Sequence, residues 1–409
     1  MSDAQFLQLA LRLARRGHGQ TSPNPMVGAV LVKGGRIIGK GWHHRAGLPH
    51  AEMEALQDAA RHGHNPQGAT LCVTLEPCST RGRTPPCTDA IAAAKIKRVV
   101  IGAIDPNPRH AGKALKILKR AGIAASVFDQ GSARRSASLG PPASRRQAAK
   151  LARDLTQLNE SFNHWIVHRT PFVTVKTALT LDGKIATASG ESKWITGHAA
   201  RDFALNLRAG FDAILTGVNT ILRDNPRLTA RIKMPNGQWK LTKPLRRIVL
   251  DSLARTPLTA HVVTDEFAPL TTIVVTTAAP TNRVAALSKR VNVLVAPQSK
   301  IKNQKSKISL PWLLKKLGSE NVTSLLVEGG GEVNASFLLG GFAHRITFFY
   351  APKVLGGRAS LRGVSGDGAQ NWNEILNLHN LEWRKLGPDL FLTALLQPMN
   401  SGARPPRAQ

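Results

Sequence analysis

Three cysteines, few aromatic residues and a shortage of acid limit what this chain can be. Cys72, Cys78 and Cys87 are the whole complement among 409 residues. So sparse and odd a set argues against a disulfide framework and for a reducing compartment, the cytoplasm. No apolar run reaches the length of a membrane span. The opening MSDAQFLQLALRLARRG breaks its apolar residues with Gln and Arg and lacks a signal-peptide core, so it reads as an amphipathic first helix. Aromatic residues make up 5%, too few for the stacking platforms of single-strand nucleic-acid binders. Lys and Arg number 56 against 25 Asp and Glu, a formal charge of +31. They are scattered along the chain rather than gathered in one arm. This fits a solvated basic surface suited to capturing an anionic phosphate ester better than a nucleic-acid interface. The expected partner is a small molecule, with no nucleic acid and no membrane, and a homo-oligomer is expected.

The length suggests two or three domains, each able to bury its own core, and the hydrophobic fraction of 42% is ordinary for a globular protein. FLQLALRLA repeats its apolar residues at helical spacing. VGAVLV reads as a buried strand, and Lys33-Gly34-Gly35 turns it into RIIGKGW as a hairpin. AEMEALQDAARHG is a helix ending at Gly63; ATLCVTL, RVVIGAI and IAASVF are strands, with helical AGKALKILKRAG between the last two. Cys72, inside ATLCVTL, reads as a buried structural thiol. The first domain therefore spans 1–128. DQGSARRSASLGPPASRRQAAK has no apolar period and reads as a linker or insertion over 129–150. The second domain, 151–398, opens with the helix LARDLTQLNESFNHWI. It continues through the strands FVTVKTAL, DAILTGV, RRIVLD, TTIVVTT, VNVLVA, TSLLVE, RITFFYAP and LFLTALL. IKNQKSK reads as a loop, and 399–409 as a disordered tail. Both domains are of the α/β class, with helices layered on sheets.

PHAE at 49–52 and EPCSTRGRTPPC at 76–87 carry the first chemistry. His50, Cys78 and Cys87 supply three zinc ligands and leave a fourth position for water, the open pattern of a catalytic zinc. The metal would lower the pKa of that water toward neutrality, and Glu52, not a ligand, would move its proton. Residues two apart on a helix point to nearly opposite sides. His50 and Glu52 therefore converge only if His50 stands at the helix entrance and Glu52 in the first turn, and Pro49 suits such a start. Cys78 follows Pro77 after a strand, where backbone N–H groups would favour the thiolate. The order His-x-Glu, Pro-Cys, Cys matches the zinc deaminase signature, except that eight residues, Ser79 to Pro86, separate the cysteines where two are usual.

SPNPMVGAVLV, GWHHRAGLPHAE, TLEPCSTRGRTPPC and DPNP together resemble the deaminase half of the bifunctional riboflavin biosynthesis deaminase–reductases. The GRTPPC loop sets that family apart from cytidine and tRNA adenosine deaminases. The resemblance implies a cytidine-deaminase-like three-layer domain. It implies a substrate, 2,5-diamino-6-ribosylamino-4(3H)-pyrimidinone 5′-phosphate, held by Asn24, His43 and Arg83. Read without the resemblance, Asn24 is a turn former between two prolines and His43 a surface residue beside His44. The family usually carries His where this chain has Thr80.

From residue 172 the resemblance continues in KTALTLDGKIATASGESKWITG, RAGFDAILTGVNTILRDNPRLTAR and LLVEGGGEV, which look like the reductase half, similar in fold to dihydrofolate reductase. VEGGGEV is a strand end, three glycines and a helix start, a turn that lets backbone N–H groups approach a pyrophosphate. It departs from GxGxxG, which argues against a conventional Rossmann domain. The resemblance implies that Ala178, Trp194, Thr220, Asp224, Ser252 and the run Gly330, Gly331, Glu332, Val333, Asn334, Ala335, Ser336 contact NADPH. It implies that Ser192, Arg208, Leu228, Arg231 and Glu328 contact the ribosylamino substrate, with Lys176 and Glu328 assisting proton transfer. On the residues alone Trp194 also reads as core, and Asp224-Asn225-Pro226 as a turn. Lys176, inside an apolar strand, requires a partner for its ammonium. Two other readings remain open on the residues alone: a deaminase acting without the second domain, and a nucleic-acid base deaminase with a non-catalytic C-terminal domain.

Overall fold

The computed structural model describes residues 1–80, 85–128, 142–234, 238–241, 243–299 and 308–397. Arg83, the IKNQKSK loop at 301–307, residues 129–141 and the tail lie outside the described residues. The chain divides into two compact units, Met1–Arg169 and Thr170–Gln409.

The first unit is built on five strands in the order β2-β1-β3-β4-β5: β1 (Gly28–Lys33), β2 (Arg36–Trp42), β3 (Thr70–Val73), β4 (Arg98–Ile101) and β5 (Ala124–Val127). The expected hairpin forms, with β1 antiparallel to β2; β3, β4 and β5 run parallel. Alternate strand residues face opposite layers, as the pleat dictates. Val30, Val32, Cys72 and Val100 pack against Phe6, Leu7, Ala10 and Leu11 of the helix Asp3–Ala14. Ala29, Leu31, Leu71, Val73, Val99 and Ile101 face Ala51, Ala55, Ala59, Ile91 and Leu118 of three helices on the other side. Cys72 is thus core, and burial pushes its thiol up to about 12.

The helix Ala51–Arg61 lies unusually close to β2. A Cβ on Gly41 would stand 2.4 Å from both the Ala51 carbonyl oxygen and the Ala55 nitrogen, and one on Gly39 2.3 Å from the Ala55 oxygen. Glycine on the strand and alanine on the helix together allow that approach. It fixes where the helix begins.

The expected linker and domain boundary need correction. Residues 142–150 open a helix, Pro142–Gln157, rather than ending a linker. Its Leu151 and Leu155 pack into the cluster formed by the first helix and β1, so the first unit extends to Arg169. The stretch read as one helix is two, Pro142–Gln157 and Glu160–His168. Asn159 between them is buried and clamps Met26: its Oδ1 accepts from the Met26 N–H (2.7 Å) and its Nδ2 donates to the Met26 carbonyl (2.9 Å).

The second unit contains a nine-stranded sheet. In chain order its strands, with two small pairs, are β6 (Phe172–Thr180), β7 (Lys184–Ala186), β8 (Ala213–Gly217), β9 (Arg231–Lys233), β10 (Trp239–Leu241), β11 (Arg246–Leu250), β12 (Thr271–Val275), β13 (Asn292–Val295), β14 (Ser324–Val327), β15 (Arg345–Ala351), β16 (Leu361–Arg362), β17 (Leu378–Leu386) and β18 (Asp389–Leu396). The sheet order is β13-β12-β11-β8-β14-β6-β15-β18-β17, parallel through β15 and antiparallel beyond. Ala213, Leu215, Leu325 and Val327 face one apolar layer, Ile214 and Leu326 the other. Burial on both faces explains why these strands read as continuous apolar runs. The strand ends of β8, β11 and β14 open on one side, and functional groups collect there.

Candidate functional sites

His50 is the N-cap residue of the helix Ala51–Arg61, with extended backbone (φ −75°, ψ 164°), and Glu52 lies in the first turn, buried. The two converge as their spacing requires. Cys78 sits in the loop after β3, and Cys87 opens the helix Cys87–Ala93. The Nδ1 of His50 lies 3.3 Å from the Cys87 Sγ and 3.6 Å from the Cys78 Sγ, and all three donor atoms fall within 4.8 Å of one another. Tetrahedral zinc with ordinary bond lengths separates a nitrogen from a sulfur ligand by about 3.5 Å. One imidazole and two thiols at these distances therefore fit zinc and leave one position open.

The amide expected to favour the Cys78 thiolate comes from the other ligand: Cys87 N–H donates to the Cys78 Sγ at 3.2 Å. The hydrogen bond from the Cys87 thiol, with help from His50, holds Cys78 down at about 4, while the same contact and burial push Cys87 up. Burial raises the pKa of Glu52, against the pull of His50. A carboxyl raised in this way is suited to carrying a proton both ways.

His43 is buried, not a surface residue. Its Nδ1 lies 3.0 Å from the Pro49 carbonyl, which can only accept, so Nδ1 carries the proton. Burial lowers its pKa, so the ring is neutral and its Nε2 accepts from the Asn24 Nδ2 at 3.2 Å. Asn24 is therefore more than a turn former. The Asn159 clamp on Met26 holds its loop.

Sequence reasoning missed three supports of this site. Glu76, beside the Pro-Cys pair, is buried; its carboxylate accepts from the amides of Asp105 (3.3 Å), Gly112 (2.9 Å) and Ala114 (3.0 Å). It ties the ligand loop to the start of the helix Lys113–Arg120. His110 contacts the Ser79 and Thr80 hydroxyls, each at 3.4 Å. Asn159 is the third. Their partners lie 29 or more residues away, beyond the reach of local pattern.

In the second unit a cavity of about 560 Å³ opens at the strand ends, a size usual for small-molecule and cofactor sites. Lys176 and Ala178, the half-buried positions of otherwise buried β6, point into it together. Ser192, Thr220, Asp224, Ser252, Glu328 and, from the glycine run, Gly330, Gly331, Glu332, Val333 and Ser336 also line it. A Cβ on Gly330 would meet nothing within 4 Å, so its backbone faces open space at the entrance of the helix Gly331–Leu338. The cavity and this backbone cradle fit a dinucleotide pyrophosphate.

Lys176 has the partner its burial demands. Its Nζ lies 3.5 Å from the Glu328 Oε2. Arg208 grips the same carboxylate by Nε and Nη2, both at 2.8 Å. Burial alone would raise the Glu328 pKa, but Arg208 and then Lys176 hold it near about 2. Arg208 also donates to the Thr229 carbonyl (3.1 Å), and Arg231 to the Thr229 hydroxyl (2.8 Å), so one threonine joins both arginines.

Six expected contacts are not on the cavity wall: Arg208 and Arg231, joined through Thr229, and also Asn334, Ala335, Leu228 and Trp194. The turn of the helix directs Asn334 and Ala335 away from the cavity into buried positions, where Asn334 Nδ2 donates to the Gly363 carbonyl at 2.8 Å. The Leu228 side chain is in the core with Phe211 and Ile214. Trp194 is neither core nor cavity wall: it is 65% exposed, with the Arg201 guanidinium 4.6 Å from its ring centroid.

Comparison with known proteins agrees with this geometry. A family model for the cytidine and deoxycytidylate deaminase zinc-binding region matches residues 1–103, and one for the RibD C-terminal domain matches 171–392. The riboflavin biosynthesis protein RibD of Aquifex aeolicus is 41% identical over 390 residues, 95% of this chain and 97% of that one. Its Escherichia coli counterpart is 36% identical over 400 residues, 96% and 99% of the two chains. The solved structure of Acinetobacter baumannii RibD, form 1, matches with a TM-score of 0.77 at 33% identity, covering 97% of this chain and 99% of that one. A Thermotoga maritima structure described as a diaminohydroxyphosphoribosylaminopyrimidine deaminase/5-amino-6-(5-phosphoribosylamino)uracil reductase matches at 0.74 and 31%, with the same coverage. Among the described residues no helix is long and apolar enough to cross a membrane. The chain belongs to the RibD family of riboflavin biosynthesis, bifunctional enzymes that join a zinc-binding deaminase unit to a reductase unit.

Proposed function

We propose that the first unit deaminates 2,5-diamino-6-ribosylamino-4(3H)-pyrimidinone 5′-phosphate and that the second reduces the ribosyl group of the product with NADPH. The observation that carries the reading is the trio His50, Cys78 and Cys87 closed around one point beside a buried Glu52. Zinc, when bound there, supplies a water acidic enough to attack at neutral pH. Glu52 takes the proton from that water and returns it to the ring and the departing amine. Asn24, oriented by neutral His43, accepts from the pyrimidine edge. Arg83, with its fork of donors, suits the ring edge or the phosphate.

In the second unit NADPH supplies the hydride. The backbone from Gly330 to Val333 binds its pyrophosphate, and Ala178, Thr220, Asp224 and Ser252 border the rest. Arg231 and Ser192 bind the substrate phosphate, with Leu228 as backing. Lys176 holds the proton given to the sugar oxygen as the ribose opens, and Glu328, fixed by Arg208, holds Lys176 in place. Reduced ligand thiols suit a cytoplasmic enzyme. Exposed Leu381 and Trp383 on the outer strand β17 favour a homo-oligomer.

One assay tests both heads: purified zinc-loaded chain, the diaminopyrimidine ribosyl phosphate and NADPH, with ammonia and NADPH absorbance followed together. Equal release and consumption is expected. Ammonia without NADPH loss would reduce the chain to a deaminase, and neither signal would overturn the reading.

A further inference from the structure

The lining of the second unit's cavity includes a cation that reduction of the sugar does not use, Arg223, alongside the acidic Asp224 and Glu332. Glu328 engages Lys176 and Arg208, but it engages neither Arg223 nor Arg255. Arg223 lines the cavity one turn after Asn219 on the helix Val218–Asp224, so the two share a face. A Cβ on Gly190 would stand 3.6 Å from the Arg223 Nη1, so this guanidinium lies over the loop leading to Ser192. Arg255, in the loop after β11, donates from Nη2 to the Asn219 Oδ1 at 3.0 Å. Asn219 thus ties the second arginine to the helix that carries the first. Ser252, three residues before Arg255, borders the same wall. Both arginines are exposed, and among the described residues neither has a carboxylate within 4 Å.

The sheet order shows what these cations face. The neighbours run β11-β8-β14-β6. Lys176 on β6 and Glu328 at the end of β14 mark the reacting end of a bound dinucleotide. Gly330 to Val333, just after β14, mark its pyrophosphate. The remaining part, the adenosine, must then extend across β8 and β11, where Asn219, Arg223, Ser252 and Arg255 stand.

We infer that Arg223 and Arg255, braced by Asn219, bind the phosphate on the adenosine 2′-oxygen and so select the phosphorylated dinucleotide over the unphosphorylated one. This rests on the nicotinamide-dinucleotide reading above. A 2′-phosphate is a dianion with several acceptor oxygens, and two planar guanidinium forks match it.

The test is equilibrium binding of NADPH and of NADH to the full zinc-loaded chain, by nicotinamide fluorescence or calorimetry. The parent is compared with R223Q, R255Q and the double variant. Each single change should weaken NADPH by about tenfold or more. NADH affinity should stay at the parent value, which also reports an intact fold. 2′,5′-ADP should displace NADPH from the parent better than 5′-ADP does, and lose that advantage in the double variant. N219A should weaken NADPH in the same direction by a smaller factor. Variants that keep the parent's NADPH-to-NADH ratio overturn the assignment and leave the cofactor reading standing. A parent that binds neither dinucleotide overturns both.

Discussion

Replacing Glu328 by Gln removes one charge from a buried group of three. Arg208 and Lys176 then remain in place with no carboxylate between them; both side chains are 16% exposed and that of Glu328 12%. Breaking a buried ion pair from one side costs about 3–5 kcal/mol, because the other charge is left uncompensated. In a unit of this size each kcal/mol moves the midpoint by roughly 2–4 °C. E328Q should therefore unfold its second unit about 10 °C lower in a calorimetric scan. NADPH consumption should collapse, since Lys176 loses its anchor, while ammonia release at 25 °C persists because Glu328 belongs to the other unit. R208M in the E328Q background should recover part of the lost stability by removing a stranded charge. Acid titration gives a second readout. The folded pKa of Glu328, about 2, lies below the ordinary carboxylate value of about 4.3. The stabilisation is thus fully present above pH 4.3 and is lost as pH falls through about 2, a limb that E328Q should lack. A variant melting within 2 °C of the parent and oxidising NADPH at the parent rate would refute the reasoning.

Three further outcomes are expected. E52Q should keep stoichiometric zinc by elemental analysis yet lose ammonia release by roughly 10²–10⁴-fold; deamination at the parent rate would remove Glu52 from the proton path. G41A should lose zinc, because its Cβ would stand 2.4 Å from the backbone of Ala51, the residue between His50 and Glu52; full metal occupancy in G41A would show that the helix can retreat without cost to the site. N159A deletes the two hydrogen bonds that clamp Met26 and should raise KM for deamination several-fold with zinc content unchanged; an unaltered KM would mean that Asn24 needs no such support.

The metal trio was readable because its residue types are scarce: two of three cysteines fall in one polar loop. Lys176 announced a partner because an ammonium cannot stay alone in an apolar strand, and the sheet supplied Glu328. Continuous apolar runs gave most strands. They missed β17, which is exposed along most of its length and has no apolar period. The domain boundary was misplaced because Leu151 and Leu155 declare an apolar face without naming the surface that covers it. The glycine run hid the phase of the following helix, so Asn334 and Ala335 were counted with the cavity although they turn from it. Trp194, a cofactor contact by the resemblance and a core residue on its type alone, stands mostly exposed against Arg201.

The eight-residue gap between Cys78 and Cys87 has a physical reading beyond family membership. Among the described residues, the two ends of that loop are held at the metal site. Cys87 N–H reaches the Cys78 Sγ at 3.2 Å and Thr88 N–H reaches the Cys78 carbonyl at 3.3 Å. The loop that carries the first cysteine and the helix that the second opens thus meet directly. The two hydrogen bonds of this closure use the two cysteines and Thr88 alone, so the thiols are set by the loop's ends. The longer loop is free to carry other work, and His110 grips its first two residues from outside. Zinc chemistry and substrate choice are therefore separable here. Changes within residues 79–86 should move KM for the ribosyl phosphate while leaving zinc affinity at the parent value. A loop variant that loses metal and substrate binding in proportion would show that the two are one structural unit after all.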